Sequence, residues 1–134
     1  MKAVKGSTLT RGLPLGAWVD TCDNSGAKIV KIITVCGYKG VAGRKPTAAV
    51  GDLIYVSVVR GRPDIRKQVV PAVIVRQKKE WQRQDGMRIG FEDNAAVVLK
   101  DEQGNPKGTM IKGAIAKEIV ERYPAVAKIA SIIV

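Results

Sequence analysis

The chain has 134 residues with 23 Lys plus Arg against 12 Asp plus Glu, a formal net charge of +11 and an isoelectric point near 10. At 46% hydrophobic residues it can bury one core in a single compact domain. There is no histidine, which removes the commonest general base and any Ser-His or Cys-His nucleophile.

Positive charge at this level repels itself in a compact state, so composition points to a polyanionic partner. Nucleic acid leads and an anionic membrane surface is the rival. No long apolar stretch resembles a spanning helix. Met1 to Gly6 lacks the apolar core of a secretory signal, which predicts an intracellular protein. Cys22 and Cys36 are the only cysteines. Without a Cys-x-x-Cys pair or a histidine they form no zinc site, and they read as small thiols within strands. No metal, cofactor or catalytic residue is expected.

In chain order, Met1 to Pro14 is a basic, Gly/Pro-punctuated arm with Lys2, Lys5 and Arg11. Gly16 to Cys22 reads as a first strand. Asp23-Asn24-Ser25-Gly26 is a turn, because Asp and Asn bond back to the backbone and Gly accepts positive φ. Lys28 to Cys36 is a second strand. Its alternation fails at Ile29, Val30, Ile32 and Ile33, which predicts a bulge or burial on both faces. Gly37 to Thr47 is a Gly-rich loop carrying Lys39, Arg44 and Lys45, with no Walker pattern.

After a turn at Val50-Gly51-Asp52, Leu53 to Val59 alternates, with Ile54, Val56 and Val58 facing one way. Arg60, Arg62, Arg66 and Lys67 crowd the next connection. Val69 to Val75 is a strand whose Pro71 predicts an edge or a bulge. Arg76 to Arg88 then carries Arg76, Lys78, Lys79, Arg83 and Arg88 against only Glu80 and Asp85, net +3 in thirteen residues. These side chains would lose hydration on burial, so the segment faces water or a polyanion. Asp85-Gly86 is hairpin-turn chemistry. Trp81 either folds this loop onto the barrel or stacks on a base.

Ile89 to Phe91 and Ala95 to Lys100 are strands, the second with Ala95, Val97 and Leu99 on one face. Ala114 to Arg122 has helical spacing. Tyr123-Pro124 breaks it, Ala125 to Ser131 suggests a second short helix, and Ile132 to Val134 is open between extended and helical. Short strands at regular intervals followed by helices predict a small antiparallel barrel.

Nine cations and three acids lie between Arg60 and Arg88, in two connections flanking one strand. Loops before and after a strand lie at opposite ends of it, so the basic surface is an extended flank suited to structured RNA. A catalytic role finds no support: acid pairs such as Asp20 and Asp23 have no partner base or nucleophile. The alternative is a free single-stranded-RNA-binding barrel or translation-factor module, which would lean on aromatic stacking.

Three segments together resemble the family of the universal large-subunit ribosomal protein number fourteen. They are Asp23-Asn24-Ser25-Gly26-Ala27; Arg83-Gln84-Asp85-Gly86 running to Phe91-Glu92-Asp93-Asn94-Ala95; and Gly108-Thr109 with Ile111-Lys112-Gly113. Val50-Gly51-Asp52 and Val75 to Lys79 match in order and spacing. The arm before Leu15 and the Arg60-Gly61-Arg62-Pro63 segment are similar to the archaeal and eukaryotic branch.

The resemblance implies a mainly β protein: a five-stranded antiparallel barrel, a projecting β-ribbon and a short C-terminal helical part. The expected partition is an arm at 1–14, a barrel at 15–112 and a C-terminal segment at 113–134 packed on it. It also implies a structural constituent of the cytoplasmic ribosome's large subunit, bound to large-subunit rRNA at the subunit interface, with a share in intersubunit bridges. Implied partners are neighbouring large-subunit proteins including protein three, small-subunit rRNA across the interface, and the anti-association factor six at the C-terminal region. Asn24, Ser25, Lys39, Arg44, Lys45, Arg76, Lys78, Lys79, Arg83 and Arg88 carry over as RNA-contact candidates. The basic connection adds Arg60, Arg62, Arg66 and Lys67.

Overall fold

A computed structural model describes residues 9–37, 40 and 42–134. Lys2, Lys5 and Lys39 lie outside the described residues. The strands in order are β1 (Leu13–Pro14), β2 (Trp18–Thr21), β3 (Ala27–Val35), β4 (Thr47–Ala48), β5 (Leu53–Gly61), β6 (Val69–Arg76), β7 (Trp81–Gln82), β8 (Arg88–Ile89), β9 (Ala95–Val98) and β10 (Ile111–Ile115). Helices α1 (Glu118–Arg122) and α2 (Pro124–Lys128) follow, then β11 (Ala130–Ile133).

Strands β2, β3, β5, β6 and β9 close a barrel in that order. Four of its pairs are antiparallel, but β2 and β9 run parallel, with Asp20 opposite Ala95. The barrel is therefore mixed, where an antiparallel one was expected. The cause is counting: an odd number of alternately reversed strands in a ring leaves one pair pointing the same way.

Alternation on β5 is as the sequence predicts, with Ile54, Val56 and Val58 buried and Leu53, Tyr55 and Ser57 half-buried. The irregular pattern of β3 corresponds to register shifts against β5 near Ile29 and between Ile32 and Thr34. Pro71 is neither on an edge nor at a bulge. It sits opposite Tyr55 on β6, which pairs with β5 on one side and β9 on the other. The Pro71 carbonyl accepts from the Leu99 N–H, just past the last residue of β9. Backbone groups of one residue point to the same side of an antiparallel strand, so the missing donor faces a point where the β9 ladder has already ended.

Ala95 to Leu99 are all buried, as are Ala72 to Val75, so β9 does not alternate as expected. Strands covered on both faces lose the polar half of the pattern. The C-terminal segment provides cover: Ala116 N–H donates to the Val75 carbonyl, and Ile111, Ile115 and Ile119 join the same core. That segment is less helical than its spacing predicts. Ala114 and Ile115 belong to β10, which pairs in parallel with β11, and Ile132 and Ile133 are extended. The Tyr123-Pro124 break is present, with α1 ending before it and α2 starting at Pro124.

Candidate nucleic-acid interface

Nine of the predicted cations are exposed: Arg44, Lys45, Arg60, Arg62, Arg66, Lys67, Lys78, Lys79 and Arg88. The end of β5 and the β5–β6 connection display Arg60, Arg62, Arg66 and Lys67 at one end of the eight-residue β6; Lys78, Lys79 and Arg88 follow its other end. A strand of that length spans roughly 26 Å. The basic surface is thus two separated clusters, as an extended flank requires.

Both clusters sit on held backbone. In the β5–β6 connection the Ile65 side chain is fully buried. Arg62 N–H donates to the Gly26 carbonyl and Lys67 N–H to the Val58 carbonyl. Lys67 itself lies at φ 64, a left-handed conformation uncommon for a residue with a Cβ. At the other end Gln77 is completely buried. Its amide donates to the Thr10 and Lys79 carbonyls, and its oxygen accepts from the Val50 N–H. Gln77 therefore ties the N-terminal arm, the loop before β5 and the start of the basic hairpin into one joint. A buried amide must satisfy its donors and acceptor. Nothing in the sequence singles it out, because its partners are far away along the chain.

Other residues on the predicted list have inward commitments. The Arg83 guanidinium donates to Glu118 at 2.8 Å and to the Val134 carbonyl at 2.7 Å, and its side chain is only 15% exposed. Glu118 is buried and also accepts from the Trp81 indole N–H at 3.2 Å. Trp81 is 0% exposed and stacks on Phe91 with ring centroids 5.9 Å apart. The alternatives left open for Trp81 resolve to the anchor. The β7–β8 hairpin is pinned at its base, and its Asp85-Gly86 tip turns as expected, with Gly86 at φ 89 and the Asp85 carboxylate accepting from Met87 N–H.

Arg76 is likewise turned inward. Its Nη1 donates to the Lys112 and Ala114 carbonyls and its Nη2 to Asp93 at 3.1 Å, while Nε is buried without a partner. It clamps β10 against the end of β6. Asn24 and Ser25 are similarly occupied. Asn24 Oδ1 accepts from Thr109 and Met110 N–H groups and its Nδ2 donates to Thr109 Oγ1. Ser25 is buried and donates to Asp23. Asp23 accepts in turn from Val98 N–H, and burial raises its carboxyl above the ordinary aspartate value against the opposing effect of these bonds. The Asp23 turn is thus a latch between the barrel and the segment leading to β10.

Burial also pushes the Cys22 thiol up to about 12 and raises that of Cys36. Among the described residues no cluster of three or more His, Cys, Asp or Glu could hold a metal ion, and no helix is long and apolar enough to cross a membrane.

The model of the family described as ribosomal protein L14p/L23e matches residues 12–134. The chain is 56% identical over 134 residues to the large ribosomal subunit protein uL14 of Nanoarchaeum equitans, covering all of both chains. It is 52% identical over 128 residues to the proteins of the same name from Methanococcus vannielii and Methanococcus maripaludis, covering 96% of each chain. A match spanning the barrel, the basic hairpin and the C-terminal clamp together places this chain in the ribosomal protein L14p/L23e family.

Proposed function

We propose that the protein is a structural constituent of the large ribosomal subunit that binds large-subunit rRNA through the two exposed basic clusters flanking β6. The observation that carries this reading is the division of the cations. Arg76 and Arg83 are used to hold the fold together, while Arg60, Arg66, Lys67, Lys78 and Lys79 stand exposed at the two ends of β6, joined by Arg62 and Arg88, which remain exposed although each also meets an acid, Asp64 and Glu80. Restrained cations lose little freedom when they meet phosphates, and rigid spacing suits a folded RNA whose backbone is itself fixed. The names of the relatives support the ribosomal assignment. The basic loop offers no aromatic platform, since its Trp81 is buried, which speaks against a free single-strand binder using that loop.

The finer parts of the reading follow the same surfaces. The exposed hairpin tip, with Gln84, Asp85, Met87 and Arg88, is the element we assign to the subunit interface and its bridges with small-subunit rRNA. The free edge of β11 carries exposed Ile132, Ile133 and Val134. We assign this apolar edge to protein partners, protein three and the anti-association factor six among them.

The test is binding of the purified chain to large-subunit rRNA at several salt concentrations. Neutralising about six phosphates gives a slope of log affinity against log salt on the order of −5. Joint replacement of Lys78, Lys79 and Arg88 by Ala should flatten that slope and reduce cosedimentation with large subunits. A salt-independent affinity would sink the proposal.

A further inference from the structure

The surface carries an aromatic side chain that the basic clusters do not use. Trp18, on the outer face of β2, is 57% exposed, and among the described residues no ring or cation covers it. Exposed tryptophan on a strand gives up a large apolar area to water. Trp18 borders an open cleft of about 200 Å³ lined also by Asp20, Lys78, Glu92, Asp93 and Asn94. That volume is below the range of sites for drug-sized ligands and is on the scale of one flat ring system.

The groups around the indole divide by chemistry. Lys31 is exposed and lies directly opposite Trp18 in the β2–β3 register. Lys78 also lines the cleft, so the indole has one cation beside it on β3 and another in the cleft. Asp93 is already engaged by Arg76, and the Asn94 oxygen accepts from Lys78 N–H, which leaves the Asn94 amide protons to donate. Asp20 and Glu92 make no ion pair or side-chain hydrogen bond among the described residues, so their oxygens remain acceptors at the cleft. Carboxylates repel phosphates but accept hydrogen bonds from the exocyclic amines of bases.

We propose that this cleft receives one unpaired RNA base bearing an exocyclic amine, stacked on Trp18, with the adjoining phosphates on Lys31 and Lys78. The inference rests on the rRNA-binding reading and adds to it a subsite for a nucleotide splayed out of the folded RNA. Stacking supplies affinity whatever the base. Asp20 and Glu92 supply the preference, since a base with an amino group satisfies acceptors that uracil meets less well, while the Asn94 amide donates to a ring nitrogen or carbonyl of either base. A duplex cannot use the site, because its bases are not available to the indole.

The experiment titrates the full-length chain with oligoadenylate and oligouridylate hexamers and with a blunt RNA duplex, read by tryptophan fluorescence and by anisotropy of labelled RNA. Oligoadenylate should quench the exposed Trp18 emission and bind better than oligouridylate, and the duplex should leave the emission unchanged. Trp18→Ala should lower oligoadenylate affinity roughly 5- to 100-fold, with Trp18→Phe keeping most of it. Asp20→Asn together with Glu92→Gln should narrow the preference for oligoadenylate. In parallel, the salt slope of rRNA binding should be the same in Trp18→Ala as in the parent chain.

Equal hexamer affinity for the parent and Trp18→Ala would overturn the inference and hand the indole to a protein partner. If the parent binds rRNA with a steep salt slope but ignores the hexamers, the inference falls alone. If it binds neither, the rRNA reading falls with it.

Discussion

Arg83 and Arg76 show why the role of a cation cannot be read from its neighbours in sequence. Each stands near exposed basic residues, yet each finds acceptors far along the chain, Arg83 in Glu118 and Arg76 in Asp93 and the backbone of β10. Exposed substitutions usually stay within about 0.5 kcal/mol, and this is what alanine at the exposed Lys78 and Lys79 should show in chemical denaturation. Arg83→Ala instead strands a buried carboxylate, and we expect a loss of roughly 3 kcal/mol in chemical denaturation. A result within 0.5 kcal/mol would mean that Glu118 regains water without cost. Gly113 is the matching test at Arg76. It lies at φ 80, and a Cβ there would run into Arg76 Nη1. Gly113→Ala should destabilise by about 2 kcal/mol, measured the same way, from left-handed strain and displacement of the guanidinium.

Asp23 gives a pH dependence with a definite sign. Its carboxyl is raised in the folded state by burial, so the folded protein holds that proton more tightly than the unfolded chain does. Its contribution to stability is greatest below the unfolded value near 3.9. It declines as pH rises through the folded value. A carboxyl NMR titration should put the Asp23 midpoint above that of an unperturbed aspartate. A midpoint below it would show that the Ser25 and Val98 bonds outweigh burial.

Elements were legible where local chemistry decides them. The turn at Asp23 to Gly26, the hairpin tip at Asp85-Gly86, the alternation of β5 and the irregularity of β3 all follow from residues within a few positions. Strands β10 and β11 were not legible in the same way. Ile115 and Ile119 fit a helical stripe, and only the pairing of Ile115 with Ile133 makes the first of them extended. Such pairing overrides local spacing. Ile65 is a further case, an apolar residue inside a charged turn whose burial fixes that turn's shape. Ile65→Ala should cost about 2–4 kcal/mol. In a variant still folded at the assay temperature, rRNA affinity should fall although no cation was removed. Unchanged affinity would mean that the turn presents its charges equally well when mobile.

For the whole molecule, composition and the flanking basic connections point by themselves to an RNA-binding barrel. The site was less legible than the fold. The predicted list mixed exposed cations with Asn24, Ser25, Arg76 and Arg83, whose contacts are internal. Family motifs mark positions where a residue type is required, and requirement by the fold looks the same in a sequence as requirement by a ligand. Trp18 carries no motif in the sequence, and only its 57% exposure on β2 marks it as available to a ligand.

The parallel seam between β2 and β9 has a consequence for how the protein is made. Asp20 meets Ala95 across it, so a nascent chain halted before Ala95 holds four staves of five and leaves β2 and β6 as open edges. Open edges invite pairing with other chains. Because the seam joins segments so far apart in sequence, closure belongs to the slow range of two-state folding, milliseconds to seconds. Stopped-flow refolding should show one such phase, and a fragment ending at residue 94 should associate instead of remaining a monomeric barrel. During synthesis, then, the vulnerable interval opens when β6 leaves the exit tunnel and ends only when β9 follows it.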